Sequence, residues 1–256
     1  MFIQKVREVV KSKIPRRGLS FKIIQSAYYQ LKKVLDFLFF KFQHPAVKWF
    51  YIFKEKNLDK SFSQFGQDRF LLKLLGQGKR YVEVGANHPV RLNNTFLLEK
   101  HNWTGVSIDP LGKYVKDWEQ LRQQPFINVA IGDDNTTLRF VEFNGDELWY
   151  DMMSGFKEHV RPEDLITFSS IEYKVQVRRL DEVVPFDAFD VLLVDVEGAE
   201  MQVLHGIDLS RYRPTYILLE NAGSIGGDHK IRQYMSEKDY KLVARIGCTD
   251  DVFELR

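Results

Sequence analysis

The chain has a single cysteine, Cys248. That excludes an internal disulfide framework, and with no thiol or histidine cluster around it there is no zinc-type spacing either; a reducing compartment is consistent with this. Long apolar runs are missing too. The most apolar window, residues 34–42, contains Asp36 and Lys41 and falls far short of the roughly 20 residues needed to span a bilayer. Lys5, Arg7, Lys11 and Lys13 interrupt the start of the chain before an apolar signal region could form. A cytoplasmic location is therefore expected. Also absent is the G-x-G-x-x-G turn that seats a pyrophosphate on a helix N-terminus: Asn87 stands at the second glycine position, and the third falls near Val90, after Pro89.

What is present divides unevenly. At 256 residues and 44% hydrophobic content, the chain fits one domain of about 200 residues plus an appendage. Residues 1–57 hold 13 Lys and Arg against 3 Asp and Glu, a net of +10, and the remainder holds 24 against 32, a net of −8. We place the boundary at 60/61, with a basic, amphipathic helical extension before it. Helical spacing runs through residues 6–14, then from a Ser20 cap to residue 42, and resumes at 46–53 with Trp49, Phe50, Tyr51 and Phe53. Aromatics interleaved with Lys32, Lys33, Lys41, Lys48, Lys54 and Lys56 suit a helix lying on an anionic membrane surface. The alternative is an apolar face packed on the body or on a second subunit, which leaves a homo-oligomer open. Nucleic acid is disfavoured, because Leu, Ile and Val share that face with the aromatics.

The body is organised around residues 80–89, RYVEVGANHP. Residues 81–84 read as a buried parallel strand, and Gly85, Ala86 and Asn87 as the turn at its carboxyl end, where open α/β sheets bind ligands. Glu83 is an acid on a buried strand, costly without a polar partner; the expected partner is a ligand's amine or hydroxyl. An acid with no phosphate cradle suits a cofactor with a cationic amino-acid end, S-adenosylmethionine. An ordinary strand and turn is the bland alternative.

Further along, Gln64, Gly66, Gln67 and Asp68 precede a helix whose Phe70, Leu71, Leu74 and Leu75 face inward; they are either a helix cap or a cofactor contact. A helix is expected over 93–100, including Thr95, and a strand over 103–108 ends in Asp109, an acid placed to grip ribose hydroxyls. A helix over 115–122 leads to a third strand over 126–131, with Asn128 and Ala130. Residues 138–143 and 173–177 alternate as strands, and the segment 144–170 between them, with Trp149, Tyr150, Met152, Met153, His159 and Arg161, either shapes a substrate pocket or is a surface loop. A buried strand over 191–194 ends in Asp195, followed by Glu197, Gly198 and Glu200; another over 216–219 ends in Glu220 and Asn221. Like charges this close raise one another's pKa or share a cation. The remaining elements are a helix near 230–237 and strands over 241–246 and 252–255.

SQFGQD, VEVGAN, NNTFLLE, IDP, NVAIGDD, DVEGAE with VLHG, and RPTYILLE stand in an order and spacing that resemble the FkbM-type family of S-adenosylmethionine-dependent methyltransferases. The resemblance covers residues 61–256. It implies a doubly wound, mostly parallel, seven-stranded Rossmann-like sheet whose last strand returns antiparallel, and methyl transfer to hydroxyls of sugars, glycans or glycosylated natural products. It places Glu83, Gly85, Ala86 and Asn87 at the methionine end, with Gln64 and Thr95 as further cofactor contacts, Asp109 at the ribose, Asn128 to Ile131, including Ala130, along adenine, and Asp195 near the amino group or reacting centre. Gln67 and Asp109 stand where that family often has Glu. The catalytic candidates are Asp195, Glu197 and Glu220. Asp195, Glu220 and Asn221 also resemble the magnesium ligands of catechol-type O-methyltransferases. Otherwise Glu197 and Glu200 serve the helix N-terminus and His205 or an insert residue is the base. N-methylation is disfavoured by the lack of an N-P-P-Y/F turn; a non-catalytic, membrane-tethered fold is the third alternative.

Overall fold

The computed structural model describes residues 61–145, 150–222, 227–247 and 249–256, the strand Lys48–Phe50, and the helical positions Ala27, Leu31 and Val34. The rest of the basic extension lies outside the described residues.

Four strands form the centre: β2 (Arg80–Val84), β3 (Thr104–Ile108), β9 (Val191–Val194) and β10 (Tyr216–Glu220). Their near-continuous apolar runs are covered on both faces, which is the pattern a parallel strand requires. With β4 (Phe126–Ile127), β11 (Tyr240–Ile246), β12 (Asp250–Leu255) and β1 (Lys48–Phe50) the sheet order is β1-β11-β12-β10-β9-β2-β3-β4. β12 is antiparallel to both β10 and β11. The seven body strands thus take the expected arrangement. β1 adds an eighth, parallel to β11 with Lys48 opposite Ala244, where helix was expected over 46–53.

One face of the sheet buries Phe70, Leu71, Tyr81 and Trp103 under α1 (Gln67–Leu75). The other buries Val82, Ile108, Leu192 and Ile217 under α5 (Glu200–His205), α6 (Leu209–Tyr212) and α7 (His229–Glu237). Leu74, expected inward on α1, is 40% exposed. The chain winds outward in both directions from β2 and β9, so their carboxyl ends open a crevice at the point where strand order reverses.

Several expected elements shorten or split for visible reasons. The helix expected over 93–100 is one turn, α2 (Phe96–Glu99), because the Asn93 side chain caps it by accepting from the N–H groups of Thr95 (2.9 Å) and Phe96 (2.8 Å). α3 (Val115–Leu121) stops one residue before Arg122, which turns extended and enters the core. The single strand expected over 126–131 breaks at Asn128, whose side-chain amide donates to the Asp109 carbonyl at 2.9 Å. The chain then joins a second sheet as β5 (Ala130–Gly132), which pairs with β8 (Ser169–Arg179) beside β6 (Thr136–Asn144) and β7 (Gly155–Phe156), in the order β5-β8-β6-β7. The segment expected as pocket insert or surface loop therefore carries β7 and α4 (Pro162–Thr167) against this sheet.

A candidate cofactor cleft and acid cluster

The crevice is a cleft of about 870 Å³ counted to its open mouth, within the range of ligand sites. The turn after β2, Asp109, Ala130 and Ile131 line it, as do Asp195, Glu197 and a roof of Asp151 to Phe156 from the segment before β7. A smaller cavity of about 250 Å³ continues behind Gly85, between Glu83, Asn94, Asp195, Glu220 and Asp250.

The turn itself has spent its donors. Gly85 N and Ala86 N both donate to the Ile108 carbonyl, at 2.9 and 3.2 Å, and Asn87 N donates to Asp109 Oδ2 at 2.9 Å. No amide of this turn is therefore left to cradle an anion. What faces the cleft is acidic at one end and apolar at the other, where Val129, Ala130, Ile131 and Phe140 line it. An apolar wall for a base, a carboxylate for a ribose, and acids for a cationic amino-acid end together fit S-adenosylmethionine.

Glu83 has partners inside the chain as well as its place on the cleft wall. Its Oε2 accepts from Thr95 Oγ1 and Ser107 Oγ, both at 2.7 Å. Burial pushes its pKa up, and the Arg122 guanidinium opposes that shift. Thr95, expected as a cofactor contact, is fully buried behind Glu83 and does not line the cleft; it acts through Glu83. Gln64, also expected as a cofactor contact, is exposed and lines neither cavity. Its neighbour Gln67 turns inward instead, donating to Asp250 Oδ2 at 2.6 Å. Asp68 ties down the entry to α1, accepting from Ser61 Oγ (2.6 Å), Phe62 N (2.8 Å) and Ser63 Oγ (2.8 Å).

Asp109 is buried, and that burial lifts its pKa to about 6 against the opposing N–H groups of Leu111 and Asn87. Asn87 adopts φ 48°, a left-handed conformation that asparagine tolerates better than most side chains. It thereby sends its backbone N–H to Asp109 and its side-chain amide to the Asp151 carbonyl, 3.4 Å away.

At the other end, Asp195, Glu197 and Glu220 each offer a carboxylate oxygen, and these oxygens all lie within 4.8 Å of one another. The three expected catalytic acids are therefore assembled in one place. Burial is the main cause of their raised pKa values, and each feels a neighbouring carboxylate: Glu197 acts on Asp195, Asp195 acts on Glu220, and Glu200 acts on Glu197, whose pKa reaches about 8. Glu197 takes φ 55°, a left-handed position that a non-glycine residue adopts only at a cost.

Asn221 does not join them. Its Nδ2 donates to Asp251 Oδ2 at 2.8 Å and its Oδ1 accepts from Asp228 N, so its side chain is committed to the core beneath the sheet end. The third group beside Asp195 and Glu220 is Glu197. Glu200 folds back to accept from Gly198 N at 3.0 Å, so helix-terminal service falls to it rather than to Glu197. His205 is exposed and packs edge-on against Tyr234, away from the cleft lining.

Sequence reasoning missed three contributors. Ser107 is a hydroxyl in a buried strand, a signal as clear as Glu83 itself. Arg122, fully buried as a side chain, pairs with Glu99 (2.5 Å) and donates to the Pro89 carbonyl (2.9 Å) and Thr95 Oγ1 (3.0 Å), fixing the loop after the turn. Asp151 had no local pattern to mark it.

A parallel sheet with its acids at this crevice and no anion cradle defines a nucleoside-cofactor transferase of the methyltransferase type. The chain belongs to the family described as the Methyltransferase FkbM domain, which matches residues 83–242. It is a methyltransferase that uses S-adenosylmethionine. Among solved structures it is similar to a TehB-like S-adenosylmethionine-dependent methyltransferase from Corynebacterium glutamicum (10% identity, 78% of this chain and 94% of that one, TM-score 0.42). It is also similar to 1,6-didemethyltoxoflavin-N1-methyltransferase from Burkholderia thailandensis with bound S-adenosylhomocysteine (9%, 95% and 93%, 0.39). A third similarity is to a protein from Pyrococcus horikoshii described as a putative RNA methyltransferase (11%, 88% and 98%, 0.34). At these scores the likenesses carry no weight for substrate. No curated protein matches.

Proposed function

We propose that the chain is an O-methyltransferase whose acceptor is a hydroxyl of a sugar, glycan or glycosylated natural product, working on the cytoplasmic side of an anionic membrane held by residues 1–57. The observation that carries the chemistry is the Asp195, Glu197 and Glu220 cluster, where the cleft meets the smaller cavity behind Gly85.

A sugar hydroxyl does not ionise at neutral pH, so transfer needs a group to take its proton as the new bond forms. Bound S-adenosylmethionine supplies an electrophilic methyl and departs as a neutral thioether. The acceptor oxygen forms the bond to that methyl carbon, and its proton passes to a carboxylate of the cluster. A carboxyl raised toward 8 is well matched to this task, since the best base has a pKa near the working pH. Glu83 and Asp195 offer negative charge to the cationic end of the cofactor, and Asp109 accepts from its ribose.

The same 4.8 Å grouping favours a second reading, in which magnesium sits among the three acids and lowers the hydroxyl's pKa. Turnover with and without EDTA and magnesium, beside Asp195→Asn, Glu197→Gln and Glu220→Gln with cofactor binding retained, decides between them. Loss in the variants but not with EDTA leaves the base alone. Full activity in all three variants removes the site. The acceptor is found by comparing glycans and lipids from cells with and without the chain by mass spectrometry, and methylation appearing only on nitrogen would overturn the hydroxyl reading.

A further inference from the structure

Asp151 is a buried carboxylate that the chemistry above does not use. It sits in the 3-10 turn Tyr150–Met153, part of the cleft roof, and is 7% exposed. Its Oδ2 is fully engaged: Tyr114 donates its hydroxyl to it, and Lys113 Nζ and Arg91 lie 3.5 and 3.6 Å away. Its Oδ1 is also buried, yet among the described residues no donor reaches it. A buried carboxylate oxygen without a donor forfeits a charge-assisted hydrogen bond, a heavy cost for a folded chain to carry. Asp151 lines the cleft, so a ligand bound there is the group at hand to supply that donor.

The position of Asp151 says which part of a ligand supplies that donor. Asn87 ties it to the nucleoside end, through a backbone N–H to Asp109 and a side-chain amide to the Asp151 carbonyl. Tyr114, which holds Oδ2, lies in the turn that follows Asp109. The charge of Asp151 acts on Asp109 and His88, and it is not among the principal charges acting on Asp195 and Glu220. Asp151 is thus tied to the Asp109 end of the cleft. A ribose carries two adjacent hydroxyl donors, and the two Asp109 oxygens already accept from Asn87 N and Leu111 N.

We infer that Asp151 is a second ribose-binding carboxylate, its Oδ1 accepting from one of the two ribose hydroxyls while Asp109 takes the other. This rests on the cofactor reading above. The roof segment then recognises the cofactor directly, and Tyr114, Lys113 and Arg91 act as positioning residues that aim Oδ1 into the cleft.

The test is calorimetric titration of the full chain with S-adenosylhomocysteine and its 2′-deoxy and 3′-deoxy analogues. Asp151→Ala should weaken binding of S-adenosylhomocysteine by about tenfold or more, as losing a hydrogen bond to a charged group does. It should also be indifferent to removal of one of the two hydroxyls, to which the unaltered chain is sensitive. Asp151→Asn, which keeps the shape and a neutral acceptor, should fall between them and covers the case in which the alanine variant fails to fold. Tyr114→Phe should cost about threefold or less and keep the hydroxyl sensitivity. A variant that binds S-adenosylhomocysteine within twofold of the unaltered chain, or that loses the same factor on all three ligands, overturns the inference and leaves the cofactor reading standing. No binding by the unaltered chain removes both.

Discussion

Gly85 and Asp195 touch through their backbones: a Cβ on Gly85 would lie 1.6 Å from the Asp195 carbonyl oxygen. The contact locks the end of β2 to the end of β9, and so fixes the acid cluster relative to the turn. Gly85 also has φ 85°, which an L side chain adopts only with strain. Gly85→Ala should therefore destabilise the chain by about 3 kcal/mol or more and abolish binding of S-adenosylhomocysteine. Thermal unfolding with a binding titration checks this; an alanine variant of unchanged Tm would show that the strand ends are not in contact.

Asn221 and Glu197 should separate cleanly on substitution. Asn221→Ala leaves Asp251 and the Asp228 N–H short of a partner in the core and should cost about 1–3 kcal/mol of stability. Glu197→Gln should instead lower turnover by about 10²-fold or more without lowering stability. Chemical denaturation beside kcat measurement reads both effects. A stable but inactive Asn221 variant would return that residue to the site.

Folding stability should fall as pH rises. Glu197 has its pKa lifted from 4.5 to about 8, chiefly by burial. Between those values the unfolded chain has released a proton that the folded chain keeps, so stability is greatest at the acid end of this window and is lost toward pH 8. Glu197 is only partly buried, so the fall should be shallower than the full shift implies. The slope of Tm between pH 5 and 8, measured without ligand, should flatten in Glu197→Gln. An identical slope in that variant would show the carboxyl titrating normally.

The basic extension should bring the chain to anionic vesicles. Residues 1–57 carry a net of +10, and such attraction weakens as salt screens it. Co-sedimentation should rise with anionic lipid and fall as ionic strength increases. Chain that stays in the supernatant at low salt would mean that the extension packs on protein.

The central strands were legible because burial on both faces forces an unbroken apolar run, and the acids stood out because each ended such a run. Glu83, Asp109, Asp195 and Glu220 could therefore be read directly. Asn221 was misplaced because sequence puts it beside Glu220, while its hydrogen bonds come from Asp251 and Asp228, on other elements. Gln64 and Gln67 show the same limit: which of two nearby glutamines turns inward depends on Asp250, 183 residues away. Asp151 was invisible for a further reason. Its segment has no periodicity of its own and is held by partners from the turn after β3.

The handover of one strand between two sheets bears on how the cleft is built. β4 ends at Ile127 and β5 begins at Ala130, so the wall expected to meet adenine is continuous with both sheets. On its far side, Gly206 approaches Gly132 so closely that a Cβ would come within 2.1 Å of the Gly132 carbonyl oxygen. Sliding either sheet would tear this seam, which makes floor and wall a rigid vessel. The roof over residues 150–156 joins this vessel through the two-residue strand β7 and through side-chain contacts such as Tyr114 to Asp151. The Tyr114–Asp151 contact ties that roof to the turn after β3, so floor, wall and roof meet around one cleft.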